Sequence, residues 1–206
     1  GLESLKKIGK TLKIIGNSNL KSLIGIHSLE FIGGDINIQY NSSLKNLEGL
    51  NDITQVEKSL LILDNEKLAN IYSLKKILRV KSSIVISGNN SLTSLKGLES
   101  IISAGENLTI VNNHLLKSLK SLRNLKSIAG DFTIGGNSSL KNLEGLENIV
   151  TLKDVKIEDP NLLHNAKEFT RQCWQVPFVV GNLLGKRKEA MNSSDMMAFL
   201  EANTPE

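Results

Sequence analysis

Leu12-Lys13-Ile14-Ile15-Gly16-Asn17-Ser18-Asn19-Leu20-Lys21-Ser22-Leu23 is the stretch that decides the fold, because its pattern returns at a step of twenty-four residues through Leu143. Asparagine stands at Asn17, Asn41, Asn65, Asn89, Asn113 and Asn137. Before each lies an apolar pair two places apart, from Leu12 and Ile14 through Ile36 and Ile38, Leu60 and Ile62, Ile84 and Ile86, Leu108 and Ile110, to Phe132 and Ile134. Three places after each comes a leucine (Leu20, Leu44, Leu68, Leu92, Leu116, Leu140). A period held without a slip is the mark of a solenoid, a stack of near-identical turns.

The alternation at Leu12-Lys13-Ile14 or Leu108-Thr109-Ile110 has period two, which predicts a strand with one face inward. Successive copies then lie side by side as parallel strands about 4.8 Å apart. Three further apolar places recur three residues apart, as at Leu2, Leu5 and Ile8. That spacing fits a helical turn, a 3₁₀ turn or a short extended side, and periodicity does not choose among them. The asparagine place needs a different explanation. A turn folded inside a coil carries N–H and C=O groups with no strand partner, and an amide side chain both donates and accepts. A stacked asparagine column is therefore expected to be structural and buried. The sequons at Asn41, Asn89 and Asn137 fall on this column, which argues against glycans there; Asn107-Leu108-Thr109 and Asn192-Ser193-Ser194 stay open.

Composition agrees with such a stack. Apolar residues make up 40% but aromatics only 4%, so the core is built from Leu and Ile. A net charge of +4, with Lys and Glu interspersed, argues against a nucleic-acid surface. The single cysteine, Cys173, excludes an intrachain disulfide. No apolar run approaches the roughly 20 residues of a membrane span. Residue 1 opens a repeat, and an uncapped end would expose its apolar cross-section. The native protein is therefore expected to extend further, and the missing leader carries no weight.

The pattern Leu12-x-Ile14-x-x-Asn17-x-x-Leu20-x-x-Leu23, with Ile32-Gly33-Gly34 before a strand, resembles leucine-rich repeats. It is most similar to the L domains of insulin and epidermal growth factor receptors and to BspA-like repeats of microbial surface proteins. The likeness covers about 1–163. It implies a right-handed, β-helix-like solenoid of 24-residue leucine-rich/L-domain-like repeats with a parallel β-sheet along one side. It also implies a module of protein recognition or adhesion on a cell surface or in a secreted protein. The cysteines of the animal receptor domains are missing, which favours a microbial relative and carries over no hormone-receptor function.

The domain reading is a solenoid of seven turns over 1–163 and a partly helical capping segment over 164–206. The seventh unit is one residue short, with its strand at Val155-Lys156-Ile157 and its leucine at Leu163. Ala166, Phe169 and Cys173 suit one helix face, and Ser193 or Ser194 a helix cap before Met196 and Leu200.

Since the motif positions face the core, binding falls to the variable strand places. Leu61, Leu63, Val85 and Val111, with Tyr40 at the rim, form the candidate partner surface; exposed apolar patches often mark interaction sites. β-branched residues also simply suit strands. A row of Lys21, Lys45, Lys117 and Lys141, broken by Ala69 and Thr93, offers a stripe for an anionic polymer or a hydrated edge. No cofactor, metal or catalytic residue is expected: His27, His114 and His164 are dispersed, and no Gly-rich phosphate loop is present. Asp131 and Asp154 in neighbouring turns are a thin match to the carboxylate pair of a polysaccharide-cleaving solenoid. The expected function is non-catalytic recognition of a protein partner on the sheet face. Glycan binding or cleavage is the alternative, and a structural spacer the third.

Overall fold

Each Leu-x-Ile pair becomes a strand, and the strands stack. The structure, a computed structural model, describes residues 1–159, Leu162 and the strand Phe178–Val180. In chain order the strands are β1 (Lys7–Ile8), β2 (Leu12–Ile15), β3 (Phe31–Ile32), β4 (Ile36–Gln39), β5 (Gln55–Val56), β6 (Leu60–Leu63) and β7 (Arg79–Val80). They continue with β8 (Ile84–Ser87), β9 (Ser103–Ala104), β10 (Leu108–Val111), β11 (Ser127–Ile128), β12 (Phe132–Gly135), β13 (Val155–Ile157) and β14 (Phe178–Val180). The main sheet runs β2-β4-β6-β8-β10-β12-β13-β14, parallel throughout. Its register steps by one period: Ile14 pairs Ile38, Ile38 pairs Ile62, Ile62 pairs Ile86, and Ile86 pairs Ile110. The chain is thus a parallel β-solenoid of about six full turns.

Of the three forms that the three-residue spacing allows, the structure shows 3₁₀-type turns followed by a short extended side. Leu23 O receives Ile26 N–H and Ile26 O receives Leu29 N–H, each at 3.0 Å, so consecutive turns swing every third side chain back inward. A two-residue strand follows; β5, β7, β9 and β11 form a second parallel sheet, and β1 pairs β3. Helix among the described residues is nearly confined to 3₁₀ turns at Ile24–Ile26, Tyr72–Leu74 and Lys120–Leu122. The expected α-helical cap over 164–206 lies outside the described residues, except that 178–180 is a strand. That strand continues the main sheet beyond β13, across the boundary expected at 163.

The 3₁₀ corners occur in every second turn. Between them stand Gly49, Gly97 and Gly145 at φ +126°, +115° and +111°, a region that L side chains rarely adopt. Here the backbone presses against the preceding turn. A Cβ at Gly49 would lie 2.0 Å from Leu23 O, at Gly97 2.1 Å from Ile71 O, and at Gly145 2.2 Å from Leu119 O. Turns are therefore drawn together in pairs at this corner, and the working repeat is two turns long.

Inside, Leu and Ile fill the coil, and Phe132 is a fully buried aromatic among them. Asn41, Asn65, Asn89, Asn113 and Asn137 are buried as a continuous column. In each, Nδ2 donates to a strand carbonyl of the preceding turn (Ile14, Ile38, Ile62, Ile86 and Ile110, 2.9–3.0 Å). It also donates to the carbonyl two residues back in its own turn. The Oδ1 of Asn41, Asn65, Asn89, Asn113 and Asn137 accepts the backbone N–H of the asparagine one turn earlier. Asn17 departs from the expectation of burial. It lies in the first described turn and is exposed, although its N–H still reaches Asn41 Oδ1 at 3.0 Å. Leu2 is exposed at the same end, and Leu5, Ile8, Leu12 and Ile14 are only partly covered.

The seventh turn loses two residues rather than one. Phe132 pairs with Val155, one residue short. A second is lost by the asparagine place, which Asp159 takes: its Oδ2 accepts Asn137 N–H at 3.1 Å. Leu162, and not the expected Leu163, fills the leucine place, buried and donating to Asp159 O as Leu140 donates to Asn137 O. A carboxylate cannot donate, yet it serves here. The carbonyl of Ile134 keeps the ladder bond that the register gives its counterparts, from the backbone N–H of Glu158 at 2.8 Å, but Asp159 does not supply the amide bond those counterparts also receive. The side chain fills only the acceptor role.

Candidate functional site

The outward face of the main sheet carries two rows, Lys13, Asn37, Leu61, Val85, Thr109, Thr133, Lys156 and Ile15, Gln39, Leu63, Ser87, Val111, Gly135, Glu158. Register places Leu61 beside Val85 and Val85 beside Thr109, with Leu63 beside Ser87 and Ser87 beside Val111. Leu61, Leu63, Val85 and Val111 are brought onto one face, half-buried by their neighbours. Ser87 divides the lower row, so the apolar continuity runs through Thr109, which the sequence reading left out of the patch. Polar pairs close both ends: Gln39 donates to Asn37 Oδ1, and Lys156 pairs with Glu158. Glu158 also leans over Gly135, where a Cβ would meet its Cβ at 2.7 Å. The middle of the face is thereby a low apolar strip without a charged side chain.

Tyr40 follows β4 at the edge of this strip, its N–H bonded to Leu63 O at 3.1 Å. It is 57% exposed and sits at φ +55°, in the left-handed region. The same place in other turns holds Gly16, Asp64, Gly88, Asn112 and Gly136, all at positive φ. Glycine, aspartate and asparagine tolerate that conformation; a bulky aromatic stores strain of about 1 kcal/mol or more. Such strain collects at functional positions.

The lysine row is exposed, and the backbones beneath it are laddered, Lys45 N–H to Lys21 O and Ala69 N–H to Lys45 O. Asp131 belongs to a partial side-chain ladder: its N–H donates to Asn107 Oδ1 at 2.8 Å, as Ser59 N–H does to Asp35 Oδ1 at 2.9 Å. At Asp35 this gives the acidic side chain a structural role, supporting the bend before β6. Asp131 Oδ1 itself is buried without a hydrogen-bond partner among the described residues. His27 is engaged locally with Ile24 O. Among the described residues no three His, Cys, Asp or Glu gather as a metal site, and no helix is long and apolar enough to cross a membrane.

A second surface feature was missed by the sequence reading. Between turns two and three a cleft of about 330 Å³ is lined by Asn46, Glu48, Asn51, Asn70, Tyr72, Ser73, Lys75 and Lys76. Its signal was Tyr72, an aromatic at a corner place that elsewhere holds Ile24, Glu48, Lys96, Lys120 and Glu144. Lys76 Nζ bonds Asp52 Oδ1 at 2.6 Å, and this hydrogen bond, then the lysine's charge, holds the Asp52 carboxyl below its ordinary range.

Comparison of the chain with protein-family models, curated proteins and solved structures finds no match.

Proposed function

We propose that this solenoid is a non-catalytic recognition module that binds a protein partner on the outward face of its main sheet. In this reading it is a leucine-rich, L-domain-like unit of a larger cell-surface or secreted protein, with an adhesive role. The observation that carries it is the uncharged strip of Leu61, Leu63, Val85, Thr109 and Val111 on three adjacent strands, bordered by a strained, exposed tyrosine. A flat apolar centre with a polar rim is the usual anatomy of a protein interface, and tyrosine is enriched among interface anchors.

The test is to immobilise the wild-type module and the double variant Leu61→Lys, Leu63→Lys, and present both with surface and secreted proteins of the source cells. The reading expects a partner held by the wild type and by a Lys21→Ala control, but lost from the double variant. Equal retention by the double variant overturns it.

A further inference from the structure

The cleft between turns two and three has the makings of a ligand site separate from the sheet face. Its shape follows from the two-turn repeat. Gly49 bends its corner toward Leu23 of the turn before, whereas the next corner, Tyr72–Leu74, is a 3₁₀ turn with side chains. The gap therefore opens between a receding corner and a projecting one.

Its side chains are held in place by local bonds. Asn46 Oδ1 accepts Glu48 N–H at 3.0 Å, and Asn70 Oδ1 accepts Tyr72 N–H at 3.4 Å. With each oxygen tied to backbone, the two Nδ2 groups remain as donors, one on each of two adjacent turns about 4.8 Å apart. Glu48 adds an acceptor at the cleft wall. Tyr72 is 54% exposed, and Lys75 Nζ stands 4.8 Å from its ring centroid, steadying the ring by a cation–π contact. The charges balance: Lys76 is paired with Asp52, and Lys75 offsets Glu48. A cleft without net charge gives no electrostatic advantage to an anion or a cation.

A steadied aromatic platform, paired amide donors, a carboxylate acceptor and local neutrality match one class of ligand. We infer that this cleft binds a neutral sugar unit of an oligosaccharide, its apolar ring face on Tyr72 and its hydroxyls on Asn46, Asn70 and Glu48. The corresponding gap between turns four and five keeps the scaffold but not the chemistry. It carries Ser94 and Ser118 at the amide places and Lys120, paired with Glu144 at 2.9 Å, at the aromatic one.

The experiment is a ¹H–¹⁵N NMR titration of the protein with cellohexaose, laminarihexaose and chitohexaose, each to about 10 mM, where each tenfold in Kd is about 1.4 kcal/mol, with a heparin hexasaccharide as the acidic comparison. The inference expects saturable shifts of the Asn46 and Asn70 side-chain amides and of the residues around Tyr72 with at least one neutral sugar. Tyr72→Ala should weaken that binding tenfold or more, and Asn70→Ala measurably, with the rest of the spectrum unchanged. Shifts with heparin alone, shifts confined to other surfaces, or none with any neutral sugar overturn it. Because Leu61→Lys, Leu63→Lys leaves this cleft intact, that variant should bind the sugar normally, which separates this inference from the sheet-face reading.

Discussion

Replacing Asn89 by alanine removes one rung of the buried amide column and should cost far more than the same change at Asn17. Asn89 is fully buried. Its Oδ1 accepts Asn65 N–H at 3.2 Å, and its Nδ2 donates to Ile62 O at 2.9 Å and Ser87 O at 3.0 Å. Alanine leaves the Asn65 N–H buried without this acceptor, a penalty of about 1–3 kcal/mol, and each of two carbonyls loses a bond worth about 1 kcal/mol. The expected loss is about 4 kcal/mol. At Asn17 water replaces the lost partners, because that residue is exposed, and the loss should stay below about 1 kcal/mol. Urea unfolding followed by far-ultraviolet circular dichroism reads the difference. With a slope of about 2 kcal/mol/M, the Asn89→Ala midpoint should fall by roughly 2 M and the Asn17→Ala midpoint by less than about 0.5 M. Equal midpoints for the two variants, or a loss under about 1 kcal/mol at Asn89, would refute the view that the column satisfies the turn backbone.

Other outcomes follow from particular positions. Gly49→Ala must place a Cβ against Leu23 O at positive φ, so it should cost more than about 2 kcal/mol by thermal unfolding. Gly25→Ala, with open space around its Cβ and no positive φ, should be neutral or stabilising by up to about 1 kcal/mol. Tyr40→Gly should raise stability by about 1 kcal/mol through release of left-handed strain, while weakening partner capture on the sheet face; a destabilised variant would mean that the ring makes compensating contacts. For Asp52, the depressed folded-state pKa adds stability above its ordinary value of 3.8, lost as pH falls through the lower folded value. Lys76→Ala should move the NMR titration midpoint of Asp52 upward; a midpoint that stays put would show that Lys76 does not hold it.

Much of this architecture could be read from side-chain type alone, because stacking repeats one environment six times. The inward pairs such as Ile36 and Ile38, and the column from Asn41 to Asn137, were legible for that reason. What escaped depends on backbone geometry. The two-turn alternation does have a signature at one repeat place, where Gly49, Gly97 and Gly145 at positive φ alternate with Ser73 and Ser121 in the 3₁₀ corners; Gly25, which lies in a 3₁₀ corner without positive φ, hid it. The close of the solenoid was misplaced by one residue because leucines occupy both 162 and 163, and because Asp159 does not match the asparagine column by residue type, although its Oδ2 takes the acceptor half of that role toward Asn137 N–H. The sheet patch was legible as a row of strand places, but not the bridging part of Thr109. The Tyr72 cleft requires a receding glycine corner beside a 3₁₀ corner, which composition does not encode.

Hydrogen–deuterium exchange of side-chain amides by NMR tests the stacked column most directly. The Nδ2 protons of Asn41, Asn65, Asn89, Asn113 and Asn137 should persist long after those of Asn17, Asn46 and Asn70 have exchanged. Loss of all eight sets at one solvent-limited rate would contradict a solenoid held together by buried asparagines.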